Sequence, residues 1–221
     1  VTYELADAEG QVLATAEGLG TVQLAANGIT PWTPETPALY ILRVTVTANG
    51  TADTAEQRIG IRTIQVSSKT GLLLNGQPRT MKGGCIHHDL GILGSADHAA
   101  AERRRIRLMK ESGFDAIRAA HNPFGPAFLD ACDELGMLVV EEAFDEWVMG
   151  RTSFGLHVTF EQCWEKDLED MITRDYNHPC IVMWSTGNEV EERDGTADGF
   201  AWAKRLANKV RSLDASRPVS A

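Results

Sequence analysis

Basic residues are the minority charge in this chain of 221 residues: 21 Lys and Arg stand against 31 Asp and Glu, for a net charge of −10. A phosphate backbone or an anionic membrane surface calls for the opposite balance, with cations gathered on one face. The one dense cationic run, Arg103, Arg104, Arg105 and Arg107, falls inside a helical pattern and reads as a solvated face. Neither nucleic acid nor membrane is therefore expected as a partner. Cysteine is also scarce, at four residues (Cys85, Cys132, Cys163 and Cys180) with no C-x-x-C spacing. That argues against a disulfide framework and against a paired-thiol motif. Three of the four lie in apolar patterns, where a free thiol behaves as a small hydrophobe, and a reducing, cytoplasmic setting is the expectation. No apolar run approaches the ~18 residues of a membrane span, and no basic segment leads into a signal-type apolar stretch. Gly83-Gly84 and Gly91 to Gly94 fit neither G-x-G-x-x-G nor G-x-x-x-x-G-K-S, which leaves a nucleotide-binding module without its phosphate loop. No Ser or Cys stands beside an obvious base.

What is present divides into two rhythms. From Val1 to Val66 the apolar residues alternate with period two, and Asn49-Gly50 joins two such runs with a dipeptide suited to a tight hairpin. About five strands are readable where an immunoglobulin-like β-sandwich has about seven, so residues 1–66 are expected to be the C-terminal part of one. From residue 67 the pattern changes to short apolar strands alternating with helices, the signature of a parallel α/β sheet. A hairpin comes first, Leu72 to Leu74 and Arg79 to Met81 flanking Asn75-Gly76. Strands come next near Met81–Ile86, Ala116–Arg118, Met137–Val140 and Cys180–Ser185, with a fifth beginning in "RPVSA". Between them helices are expected from Asp97 to Ser112, ended by Gly113; from an Asn122 cap and Pro123 in the first turn; behind a Thr159/Gln162 capping box; and around Phe200, Leu206, Val210 and Leu213. Four βα units at this pace are half of a (β/α)8 barrel, which needs about 250 residues. The expected fold is thus α/β plus all-β, with the first half of a TIM barrel over residues 67–221.

Barrel enzymes build their sites at the C-terminal ends of the strands, and the polar residues gather there. The first strand leads to His87, His88 and Asp89, the second carries Arg118 and leads to His121, the third leads to Glu141, Glu142 and Glu146, and the fourth to Asn188 and Glu189. Four of the six histidines fall at these ends or just beyond, counting His98. Carboxylic acids flanked by imidazole, guanidinium and amide groups suit protonation of a leaving group while hydroxyls are held in place. Sugar hydrolysis fits such a set, with Glu189 as one of its carboxylates.

The ordered fragments "PWTPETPALY", "LNGQPRTMKGGCIHHD", "IRAAHNP", "LDACDELGMLVVEEAFDE" and "RDYNHPCIVMWSTGNE" together resemble glycoside hydrolase family 2, the family of β-galactosidases, β-glucuronidases and β-mannosidases, over roughly residues 31–221. The resemblance implies a retaining exo-glycosidase with Glu189 as general acid/base. It implies substrate contacts at Asn188, His121 and His87, with Arg118 bracing the carboxylates, and it places Glu142 and Asp89 among the substrate-binding residues. The nucleophile it implies is a Glu after the seventh barrel strand, outside residues 1–221. Magnesium-using members carry a His two residues after the Glu that Glu146 matches; Val148 stands there, so no metal and no cofactor is expected. Gly187 before Asn188 resembles the galactosidases and leans the substrate toward β-galactosides. The expected partners are a carbohydrate and, as an open alternative, a second copy of the chain.

Other readings stay open at this point. A metal-dependent barrel hydrolase would use His87 and Asp89 as ligands. A non-catalytic carbohydrate-binding fragment would leave the site without chemistry. Trp184 is barrel filler or a sugar platform with equal weight, and His178 reads as punctuation after a helix.

Overall fold

The computed structural model describes residues 1–194 and 197–220. Strands β1 (Thr2–Ala6), β2 (Val12–Glu17), β3 (Tyr40–Ala48) and β4 (Thr51–Ile59) form one antiparallel sheet in the order β2-β1-β3-β4. Asn49 and Gly50 turn the β3–β4 hairpin with φ of 51° and 78°, the positive angles that the twist of a two-residue hairpin needs. This sheet is the part of the sandwich that the described residues form. Its buried residues include Leu5, Ala6 and Tyr40.

The expected division at residue 66 falls inside β5 (Ile64–Ser67), which pairs not with the sandwich but with β6 (Gly71–Leu74). The partner across Asn75-Gly76 is β7 (Gln77–Pro78), earlier than the Arg79–Met81 expected from the apolar pattern. The Arg79 N–H still donates to the Leu72 carbonyl at 2.9 Å, while its guanidinium bridges Glu35 and Asp115.

The parallel sheet runs β12-β11-β10-β9-β8. It contains β8 (Gly83–Ile86), β9 (Ala116–Ala119), β10 (Leu138–Glu142), β11 (Ile181–Ser185) and β12 (Val219–Ser220). Helices α1 (Ala99–Glu111), α2 (Pro126–Leu135), α3 (Phe160–Asp175) and α4 (Ala197–Leu213) alternate with the strands. Residues 138, 139, 141 and 142 are all buried, as a strand covered on both faces requires. Phe128, Leu129 and Cys132 of α2 and Leu168, Met171 and Ile172 of α3 repeat at helical spacing and enter one contiguous core.

Two helix starts differ from the sequence expectation. Helix α2 begins at Pro126 behind Gly125, not at Asn122, and Asp97 accepts the Ala127 N–H at 3.2 Å from across the chain. Residues 122–125 are thereby released to form a loop at the strand ends. The Thr159 side chain makes no cap on α3; its hydroxyl turns back to the Leu156 carbonyl at 3.4 Å.

The sandwich sheet and its connections abut the N-terminal ends of the parallel strands. Trp32, with no exposed surface, donates its indole N–H to the Asp133 carbonyl at 2.9 Å, and Arg62 donates to the carbonyls of Pro179 and Ile181 at 3.0 and 2.7 Å. Gly136 ends α2 with φ of 73°, and a Cβ there would lie 2.3 Å from the Pro34 carbonyl oxygen. The opposite, C-terminal ends of the strands remain clear for a site.

Candidate active site

Strand β11 carries the apolar residues of "IVMWS" into Thr186 and Gly187, all buried but the half-buried Met183, and then delivers Asn188 and Glu189. Gly187 passes so close to Trp147 that a Cβ would sit 2.9 Å from its indole nitrogen. That nitrogen donates to the Thr186 carbonyl at 2.7 Å, which pins the bend. Asn188 is buried, whereas Glu189 is exposed and held at φ 44°, a left-handed conformation uncommon outside glycine and often found at functional turns. Arg193 donates to the Glu189 carbonyl and stabilises the turn.

Behind this turn lies a buried hub. Glu142 has no exposed surface and accepts from Arg118 Nε and Nη2 at 2.9 and 2.6 Å, from Ser185 Oγ at 2.8 Å, and from His121 Nδ1 at 2.7 Å. Arg118 also donates to Asn188 Oδ1 at 2.9 Å, and Asn188 Nδ2 donates to Asp145 Oδ1 at 2.9 Å. Burial works against the Arg118 charge, but the Glu142 carboxylate outweighs it and holds the guanidinium above its ordinary pKa. With Glu142 accepting at Nδ1, the neutral His121 imidazole carries its proton on that nitrogen and presents a lone pair at Nε2. His87 packs edge-on against His121 with ring centroids 5.0 Å apart.

Arg118, His121, Asn188 and Glu142 are therefore one bonded cluster, with His87 against it and Glu189 next in the chain. One expected sugar contact needs correction. Glu142 is fully enclosed with both oxygens engaged, so it orients Arg118 and His121 and has no surface for a ligand. Asp89 stays exposed at the end of the first strand, with Oδ1 accepting the Gly91 N–H at 2.9 Å and its backbone carbonyl accepting from Arg105 at 3.2 Å. Trp184 resolves as structural: its indole N–H donates to Asp214 at 2.8 Å in the layer between sheet and helices. His178 does more than end a helix, since Nδ1 meets Asp133 Oδ2 at 2.6 Å and the pair ties α2 to the start of β11.

Asp145, Ser185, Trp147 and His157 join the site without having been singled out from sequence. Asp145 stands three residues after Glu142 in "EEAFDE", a spacing that could have placed both on one side of the strand end. Glu146 is buried and clamps the loop before α3: it accepts from the N–H groups of Arg151 and His157 at 3.0 and 3.1 Å and meets the His157 ring at 3.0 Å. Burial alone would raise its pKa, but these donors together hold it at about 2.

Among the described residues, the grouping with metal-type ligand atoms within 4.8 Å of one another is Asp133, His178 and Cys180, at the far end of the strands from Glu189. Asp133 is already committed there to His178 and to the Cys180 N–H at 3.0 Å, and burial, then Asp133, pushes the Cys180 thiol well above its ordinary pKa. That donor set reads as a hydrogen-bonded tie. His87 and Asp89, the ligands of the metal-dependent alternative, belong to no such grouping among the described residues.

Comparison with known proteins fits this architecture on both sides of its division. Residues 64–221 match the family model described as "Glycosyl hydrolases family 2, TIM barrel domain", and residues 1–62 match "Glycosyl hydrolases family 2". The chain belongs to glycosyl hydrolase family 2. It is 35% identical to a β-galactosidase of Bacteroides ovatus, covering 100% of this chain and 31% of that protein. A β-glucuronidase of Sus scrofa is 32% identical over 98% of this chain and 34% of its own length. A crystal structure of a family 2 member from Bacteroides cellulosilyticus superposes with a TM-score of 0.94 at 38% identity, covering 99% of this chain and 29% of that one. The chain spans 18% to 34% of the length of curated relatives such as these. Within the family fold, it comprises part of an immunoglobulin-like sandwich and the first five strands of the barrel.

Proposed function

We propose that this chain supplies the acid/base side of a retaining exo-glycosidase that hydrolyses β-glycosides, with β-galactosides as the substrate class. One observation carries the reading: an exposed glutamate and a braced asparagine leave the same buried barrel strand at its C-terminal end. Glu189 protonates the glycosidic oxygen as the bond to the sugar breaks, and then, as a carboxylate, takes a proton from the water that releases the glycosyl group. Asn188 gives one amide hydrogen to Asp145 and keeps the other for a sugar hydroxyl. His121, with its proton held on Nδ1 by Glu142, accepts from a hydroxyl through Nε2. Retention needs a second carboxylate about 5 to 5.5 Å from the first. Glu142 is enclosed and fully bonded, and the nucleophile that the family resemblance implies, a Glu after the seventh barrel strand, lies outside residues 1–221.

The sugar assignment is supported by the β-galactosidase names among the relatives and by Gly187. β-Glucuronidase is the second reading, favoured by relatives of that name. The test is intact mass of the full-length protein after incubation with 2-deoxy-2-fluoro-β-galactosyl fluoride. A one-sugar adduct on a Glu outside these residues supports the proposal. An adduct formed only with the glucuronyl analogue transfers it to the second reading, and silence with every analogue overturns both. Glu189→Gln should lower turnover of a poor leaving group by about 10²- to 10⁴-fold, and normal turnover would remove the acid/base role.

A further inference from the structure

Glu141 and Glu142 are neighbours on β10, and their side chains leave opposite faces of the strand. Glu142 holds the His121 ring on the inner side. Glu141 points toward the helices, has no exposed surface, and takes no part in the chemistry above. Its Oε1 accepts the backbone N–H of Phe124 at 2.8 Å. The carbonyl of the same residue accepts from Arg174 Nη2 at 2.5 Å, and Arg174 is locked onto Asp175 through two bonds of 2.6 and 2.7 Å. The Phe124 backbone is thus gripped twice, at its N–H from β10 and at its carbonyl from α3.

Its ring joins a second loop. Phe124 stacks on His88 with centroids 4.0 Å apart, and the Arg105 guanidinium lies 5.5 Å from its centre. Arg105 in turn donates to the carbonyls of His87 and Asp89 at 3.0 and 3.2 Å. One buried phenylalanine therefore links the loop that carries His121 to the loop that carries His87. Keeping Glu141 there is costly. Among the described residues its Oε2 has no hydrogen-bond partner, and the Arg174 cation is paired with another buried carboxyl, Asp175. Burial first, and the Asp175 charge second, push its pKa well up, toward a neutral acid that still accepts from Phe124. A leucine would fill such a place at less cost, so the carboxyl is retained for the bond it makes.

We propose that Glu141 and Arg174 are positioning residues for the sugar-binding segment His121–Phe124, holding Phe124 from outside the strand while Glu142 holds His121 from inside. This rests on the assignment of His121 as a sugar contact. The test is a double-mutant cycle in the full-length protein, with active sites counted by the fluorosugar adduct. Glu141→Gln keeps the acceptor and should hold kcat/KM per active site within about threefold, whereas Glu141→Leu should lose roughly ten- to hundredfold, the scale of a small misplacement of a binding group. His121→Ala should cost less in the Glu141→Leu background than in the parent, because the misplaced ring has already lost its contact. A merely structural Glu141 would lower the folded fraction and leave the two costs additive; additive costs, or unchanged kcat/KM in Glu141→Leu, overturn the proposal. If Glu141→Leu does not accumulate as folded protein, Arg174→Lys replaces it in the cycle with the same expectation, since a lysine reaches Asp175 or the Phe124 carbonyl but not both. Inactive Glu189→Gln with an additive cycle overturns the positioning role alone. Unchanged kcat/KM in His121→Ala overturns the sugar contact and this role with it.

Discussion

Replacing Glu142 with glutamine changes one atom and one charge, and the geometry of the hub sets the cost of that change. The carboxylate receives three donors on Oε2 and one on Oε1, and none of these bonds has water to fall back on at Glu142. A glutamine can turn its oxygen to Arg118 and Ser185, and its NH2 then meets His121 Nδ1. To avoid donor against donor, His121 must move its proton to Nε2, which turns an acceptor facing the sugar into a donor. Breaking a buried ion pair costs about 3 to 5 kcal/mol, but Arg118 keeps 35% of its side chain exposed and can rehydrate in part, which brings the expectation to about 2–3 kcal/mol. Ser185→Ala removes one neutral donor and should cost about 1 kcal/mol, because the charge and the His121 tautomer stay as they are. Urea unfolding of the full-length variants measures the two costs, and kcat/KM reports the tautomer: a loss of roughly ten- to hundredfold is expected for Glu142→Gln and little for Ser185→Ala. If the two variants match within about 0.5 kcal/mol and in activity, the carboxylate is not the organiser of this hub.

The Glu146 clamp should confer an acid-labile loop. Its folded pKa of about 2 lies below the ordinary glutamate value of 4.5, so its contribution is complete above pH 4.5 and disappears as the pH falls toward 2. Proteolysis within residues 150–157 should accelerate over that window in the parent and be fast at both ends of it in Glu146→Gln. Gly136→Ala combines a left-handed φ with a Cβ 2.3 Å from the Pro34 carbonyl, and should cost about 2–4 kcal/mol. Gly113→Ala shares the positive φ but meets nothing within 4 Å, so a cost near ~1 kcal/mol in thermal unfolding is expected there, and equal costs would refute the close-packing argument. Cys132 and Cys180 are fully enclosed, with burial raising both thiols, so a thiol reagent should reach them only at the rate of unfolding. Labelling of either in native protein within minutes would contradict their placement.

The range of the forces at work decides which parts of this molecule were readable from sequence. The alternation of βα units and the Asn-Gly turns depend on neighbours a few residues away, and they appear where the pattern put them. The start of α2 does not: Asn122-Pro123 is a sound local cap signal, but Asp97 supplies an acceptor for the Ala127 N–H from 30 residues away and Gly125-Pro126 offers a second start. That later start has a consequence for the site, because it frees 121–124 as a loop whose histidine can turn inward. Glu142 is the instructive case among the side chains. Residue type and strand position mark it as functional, and both descriptions hold for a group that touches substrate and for one that holds those that do. Only the pairing of β9, β10 and β11 decides between them, since it brings Arg118, His121 and Ser185 to the two carboxylate oxygens at once. Glu189 differs in one respect: it stands two residues after a glycine at the end of a doubly buried strand, where the backbone leaves the sheet and its own side chain meets solvent between the buried Asn188 and Val190. A carboxylate at that exit is available for chemistry, and one placed a strand layer deeper, as Glu142 is, serves to hold other groups in place.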